Sequence, residues 1–358
     1  MKKKILFVAD WPDNSYNQKA LQELLDKDLS ENHEWIVWSC KKKENNSLFY
    51  RVYCYLKGAI YIIRNRKKYD AFFIWQQMVA FILFELMRIT KLKIADIVTY
   101  TFIHDSRHFS LKYKDRLVEN ALKHAKALIF ASVDMTNDVK KKFRQYEHKI
   151  YFDINPMFNV IDPNLSVEEA LDDDYFRNGV YTAGKSGRDF NIVIRAFRDT
   201  DIPVTIVCPN DYPITENNIT ANIRILPFSK VSPEQYYALA RQAFCILISV
   251  DNEKSSAGHL LIMYAMANSI PLIATDSDGV RAYIENNMNG LLFKLGESDE
   301  IRQCYEELKT NEEFRENIIK NAKDKAKSLS PYPFMERVLS IIESDQNKFR
   351  IMAENSKN

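Results

Sequence analysis

Short runs of apolar residues alternate with stretches of helical period along nearly the whole chain, and this alternation restricts the fold more than any other feature. In the first half the apolar runs fall at 5–9, 35–39, 71–75, 97–103, 127–131 and 150–153, with helical patterns at 17–29, 79–89, 114–124 and 135–145 between them. Each run is four to seven residues long and apolar on successive positions. That is the mark of a strand covered on both faces, as in a parallel sheet with helices on either side. After 155–174, a stretch without periodicity that holds Pro156, Pro163 and the acidic run Asp172-Asp173-Asp174, the alternation resumes. Strand patterns then fall at 180–182, 204–208, 223–226, 244–250 and 271–275, with helices at 189–197, 233–242 and 257–267, and three more helices at 298–309, 311–328 and 333–344. A chain of 358 residues is too long for one ordinary core. The expectation is an α/β protein of two Rossmann-like doubly wound domains, 1–155 and 175–330, with a final helix at 331–346 that returns to the first domain.

Composition narrows the class. With 46% apolar and 27% charged residues the chain has enough apolar surface to build two cores. The first apolar run, Ile5 to Ala9, stops at Asp10 and is too short for a secretory signal. The stretch 71–90 is interrupted by Gln76, Gln77, Glu85 and Arg88, which points to a strand and a core helix rather than a membrane span. The five cysteines show no CxxC spacing, as expected of reduced thiols in the cytoplasm. His104 and His108 have the i,i+4 spacing of metal ligands, but no further ligand cluster accompanies them and no metal is expected.

Charge is divided unevenly. Residues 1–155 carry 28 Lys and Arg against 18 Asp and Glu, whereas the remainder carries 22 against 30. The basic half suits an anionic partner, and the segment 51–68 interleaves aromatics with Lys57, Arg64, Arg66, Lys67 and Lys68. The aromatics there recur at helical spacing, which reads as inward packing and disfavours a nucleic-acid site.

Glycine is scarce, 8 residues in 358, and only Gly58 precedes residue 178. The turn after the first strand, 9–15, has no glycine, so the first domain lacks the close backbone approach a pyrophosphate needs. Two loops of the second domain offer it. One, 181–189, carries Gly184, Lys185, Gly187 and Arg188 between a strand and a helix; lysine supplies a mobile charge and arginine a two-pronged donor. The other, 252–259, places Ser255, Ser256, Ala257, Gly258 and His259 at the start of an apolar helix. Ser255 or Ser256 is a candidate N-cap, and such a helix start attracts an anion.

At these residues the chain resembles GT-B-fold glycosyltransferases, specifically the retaining, family-4-like group, also called group 1. Residues 260–275, LLIMYAMANSIPLIAT, are similar to that family's LLEAMAxGxPVIAT block, and Gly279 to Ile284 with Asn289 to Phe293 resemble its GVxxxI and NGLLF tail. Upstream, 184–197 resembles its GxxxRDxxxxIxAF segment. The likeness covers about 110 residues of the second half. It departs from the family at the Glu-x7-Glu pair, whose places are taken by Ser256 and Tyr264.

The resemblance implies two lobes facing a central cleft and transfer of a hexose-type sugar from a nucleotide-diphosphate donor, by family habit UDP-linked, to a hydroxyl acceptor. It implies retention of configuration, with neither cofactor nor metal. It assigns the donor to Gly184, Lys185, Arg188, Phe228, Ser255, Ser256, Ala257, Gly258, His259 and Tyr264, with Phe228 near the base. His104, in a His-Asp pair after a strand, is implied to bond the transferred sugar. The acceptor side is assigned to Asp10, Asn14 and Ser15 of the basic half. The expected acceptor is a glycan or lipid-linked saccharide of cell-surface polysaccharide synthesis, met in the cytoplasm or peripherally at the inner face of the membrane. The alternative is a catalytically silent GT-B subunit serving as partner or chaperone of a true transferase, since both family carboxylates are missing.

Overall fold

The computed structural model describes residues 2–12, 16–29, 32–41, 47–94, 96–101, 111–154, 156, 174–217, 219–253 and 257–344. The chain divides into two compact units, residues 1–159 with 330–358, and residues 160–329.

The first unit is built on strands β1 (Lys3–Pro12), β2 (His33–Lys41), β3 (Ala71–Ile74), β4 (Ile97–Thr101), β5 (Ala127–Phe130) and β6 (Ile150–Phe152). All pair in parallel, in the order β2-β1-β3-β4-β5-β6. Helices α1 (Tyr16–Asp28), α2 (Leu48–Asn65), α3 (Gln77–Thr90), α4 (Leu111–His124) and α5 (Val133–Lys142) link them. The continuous apolar strands do what their composition requires. Every residue of β3 and β5 is buried, because helices cover the sheet on both sides. The apolar stretch 71–90 resolves into β3 and α3, and no helix among the described residues is long and apolar enough to cross a membrane.

The second unit repeats the plan with β7 (Val180–Ala183), α6 (Phe190–Phe197), β8 (Val204–Cys208), β9 (Ile223–Pro227), α7 (Pro233–Arg241), β10 (Cys245–Ile248), α8 (His259–Ala267), β11 (Leu272–Thr275), α9 (Asp278–Arg281), β12 (Leu291–Phe293), α10 (Ser298–Thr310) and α11 (Glu312–Ser328). Its strands are parallel in the order β12-β11-β10-β7-β8-β9. Counted from β7, this is the 3-2-1-4-5-6 order of a dinucleotide-binding sheet, with its direction reversing between β7 and β10. Local chemistry starts its helices where expected. Asp189 accepts from the Ile192 amide ahead of α6, and Ser232 with Gln235 forms a reciprocal capping box ahead of Pro233 in α7.

After the second unit the chain returns to the first. Helix α12 (Pro331–Glu343) buries Phe334, Met335, Val338 and Ile342 in the core formed by Phe7, Phe73, Trp75 and Tyr100. Arg337 fixes its rotation by donating through Nε and Nη2 to the two oxygens of Asp153, at 2.6 and 2.8 Å.

Candidate active site

In an open parallel sheet, ligands gather beyond the carboxyl ends of the strands where the winding direction changes. In the second unit that point lies between the loop after β7 and the loop after β10. These are the two glycine loops singled out from the sequence, and they converge on one side chain.

Arg188 is buried, with its Nε donating to the carbonyl of Ala183 at 3.2 Å. Its backbone pairs with Val250 in an isolated antiparallel bridge, so the two loops are also joined through the main chain. The Tyr212 hydroxyl donates to the Arg188 carbonyl at 3.2 Å and accepts from the Phe190 amide at 2.9 Å, bracing the turn from behind. Glycine is required on both sides of the guanidinium. A β-carbon on Gly184 would collide with Arg188 Nε, and one on Gly258 would sit 2.8 Å from Nη1. Gly258 also holds φ at +106°, a conformation side chains resist. The sequence suggests that these glycines admit a phosphate; the structure shows that they first admit the arginine.

Arg188 Nη1 is buried and has no hydrogen-bond partner among the described residues. A buried donor without a partner is costly, and more so when charged. Burial lowers the Arg188 pKa to about 10, while Tyr236 and Asp251 act the other way, so the group stays cationic at neutral pH. Two further buried hydroxyls lack partners among the described residues: Thr182, next to Ala183 on β7, and Ser249, directly after β10. Facing the arginine is the start of α8. Its N-cap is Gly258, which has no side chain to cap it. The positively polarised start of this nine-residue helix thus lies beside a buried cation whose Nη1 has no partner among the described residues.

Lys185 is exposed, and its Nζ lies 5.1 Å from the centroid of the Phe228 ring. Phe228 opens a 3-10 turn, Phe228–Lys230, after β9, and its ring stacks on Tyr236 at 5.9 Å. His259, first residue of α8, stacks on Tyr283 at 6.3 Å. Ala257 lies in the turn just before Gly258. Gly184, Lys185, Arg188 and Phe228 are thus linked by contacts, with Gly258 at the guanidinium.

Two expectations need correction. The N-cap position of α8 falls on Gly258 rather than on Ser255 or Ser256, because the helix begins later than its apolar pattern suggests. The hydroxyls of Ser255 and Ser256 lie outside the described residues. Tyr264 does not present its hydroxyl to a nucleotide. It is 2% exposed and donates to the Tyr237 carbonyl at 3.1 Å, within a run of rings that joins Tyr237, Tyr236 and Phe228. An aromatic ring at a position implied to hold a carboxylate packs inward because it loses little by leaving water.

His104, Asn14 and Ser15 also lie outside the described residues; Asp10 sits within β1, where only its backbone is described. No group of three or more His, Cys, Asp or Glu side chains able to hold a metal occurs among the described residues. Tyr212 and Tyr236 were missed by sequence reasoning. Tyr212 follows β8 in an irregular segment with no motif, and only the folded chain brings it behind Arg188.

Two doubly wound parallel units in one chain are the architecture of the GT-B fold. Residues 210–325 match the family model described as Glycosyl transferases group 1. The second unit therefore carries a group 1 glycosyl transferase domain. No curated protein matches the sequence closely enough to count as a relative. Solved structures agree on the fold at low identity. HepE of Anabaena, in complex with UDP-glucose, is 15% identical, with 98% of this chain and 99% of that one covered at a TM-score of 0.59. An α,α-trehalose 6-phosphate synthase from Burkholderia multivorans is 10% identical over 100% and 99% at 0.64. WaaG, a glycosyltransferase involved in lipopolysaccharide biosynthesis, is 13% identical over 95% and 100% at 0.55.

Proposed function

We propose that the protein transfers a hexose-type sugar from a nucleoside-diphosphate donor to a hydroxyl of a glycan or lipid-linked saccharide. The observation that carries this reading is the buried guanidinium of Arg188 between Gly184 and Gly258, whose Nη1 has no partner among the described residues and lies beside the start of α8. A diphosphate supplies the anionic oxygens that such a cradle leaves unmet. Lys185 adds a mobile cation, and Phe228 with Tyr236 offers an aromatic platform for the base. HepE, with the same fold, was solved with UDP-glucose, which favours a uridine donor.

In the reaction the bond from the anomeric carbon to the diphosphate oxygen breaks, and one from the acceptor oxygen to that carbon forms. Negative charge grows on the leaving diphosphate, where Arg188, Lys185 and the α8 amides stabilise it. Preorganised donors of this kind are worth roughly 3–4 kcal/mol each in the transition state. The acceptor proton passes to the departing phosphate oxygen on the same face, giving retention without a metal or cofactor. In this reading His104 bonds the sugar hydroxyls, and Asp10, Asn14 and Ser15 serve the acceptor side.

Calorimetric titration with UDP, UDP-sugars and uridine, followed by product analysis with saccharide acceptors, tests the reading. UDP should bind far more tightly than uridine. Equal affinity for the two, or none for either, would remove the diphosphate from this cradle.

A further inference from the structure

Helix α2 carries two apolar faces. Cys54, Tyr55, Gly58, Ala59 and Ile62 point into the first unit's core. Phe49, Val52, Tyr53, Leu56 and Ile60, at i, i+3, i+4, i+7 and i+11, form a second stripe that faces water. Phe49 is 90% exposed, and Leu48, in the first turn, is 70% exposed. The sequence expectation that the aromatics of 51–68 pack inward therefore holds for Tyr55 and Tyr61 and fails for Tyr53. A run of five large apolar side chains on one exposed helical face is more than scattered surface residues, which single positions would explain.

The charge beside the stripe identifies its partner. Residues 47–69 contain no Asp or Glu, while Arg51, Lys57, Arg64, Arg66, Lys67 and Lys68 fall within them. Lys57 flanks the stripe, with Nζ 6.0 Å from the Tyr53 ring centroid, and Arg64 is exposed in the last turn. Apolar and aromatic side chains on one face, bordered by cations and free of carboxylates, fit the headgroup layer of an anionic bilayer. A second copy fits less well, since a two-fold contact through this stripe would bring the like charges of Lys57 and Arg64 together.

We infer that α2 is an in-plane docking helix that seats the first unit on a negatively charged lipid surface, burying Phe49, Val52, Tyr53, Leu56 and Ile60. This goes beyond the transferase reading and does not depend on the donor assignment, because lipid binding needs no nucleotide.

Co-sedimentation of the full chain with phosphatidylglycerol vesicles and with phosphatidylcholine vesicles tests it. Binding is expected to the anionic vesicles and to weaken with added salt. The double variant F49S/L56S should lower the partition coefficient about tenfold or more. Lys57→Gln and Arg64→Gln should each lower it about fivefold on anionic vesicles alone. All four side chains lie outside the core, and unchanged thermal melting would confirm that the variants fold. The inference is overturned by no binding to anionic vesicles, by equal binding to both kinds, or by variants that bind as well as the parent. A dimer seen by light scattering that F49S converts to monomer would overturn it too, by assigning the stripe to a second copy.

Discussion

The guanidinium of Arg188 occupies the space that a β-carbon on Gly258 would need: Nη1 lies 2.8 Å and Nη2 3.0 Å from where that carbon would stand. One loop thus sets the arginine while the other yields room for it. Gly258→Ala must push the guanidinium aside and adopt φ near +106°, which costs about 1–3 kcal/mol. Thermal unfolding should show this loss, and calorimetry should show weakened UDP binding. A variant with parental stability and affinity would mean that the two loops are not held together as described.

Replacing Arg188 itself separates charge from packing. Arg188→Met fills much of the same volume without a cation. The lost charge-assisted bond is worth about 1.5–3 kcal/mol, so UDP affinity should fall by roughly one to two orders of magnitude. Affinity for uridine should stay the same, since it has no phosphate.

The pH dependence follows from the same residue. Burial holds the Arg188 pKa at about 10, below its ordinary 12.5, and a bound diphosphate favours the charged form and raises it again. UDP affinity is therefore full at pH values below about 10 and falls as the pH rises through it. Calorimetry across the alkaline range should show this falling limb in the parent and a shallower one in Arg188→Met, which keeps the Lys185 cation.

Tyr264→Phe removes a hydroxyl bonded to the Tyr237 carbonyl at 3.1 Å. The expected loss is about 1 kcal/mol of stability, measured by urea denaturation, with unchanged UDP affinity. A drop in affinity without a drop in stability would restore Tyr264 to the nucleotide.

Helix α12 contributes to the first unit through side chains that leave no exposed surface. Phe334→Ala should cost about 3–5 kcal/mol, because Phe334 sits among Phe73, Trp75 and Tyr100 with ring centroids 5.6 to 6.0 Å away. Arg337→Ala should cost less, about 1 kcal/mol, since Arg337 is half exposed although Asp153 is not. Urea denaturation of both variants checks the ranking.

Apolar runs flanked by helical patterns were enough to foretell two parallel α/β units and most of the strand positions, because a strand buried on both faces leaves its mark in consecutive residues. Glycine placement likewise led to the loops after β7 and β10, since few other residues allow such close backbone approach. Three matters depended on contacts between residues far apart in the chain. The first is that both glycines serve one arginine, 70 residues before Gly258, which only the pairing of β7 with β10 brings about. The second is that Tyr264 turns into a nest of rings rather than toward a ligand, a choice set by Tyr237 on α7. The third is that α2 keeps one apolar face in water. Helical periodicity shows that a side chain shares a face with its neighbours, but not whether anything lies against that face, because burial belongs to the whole fold and not to the segment.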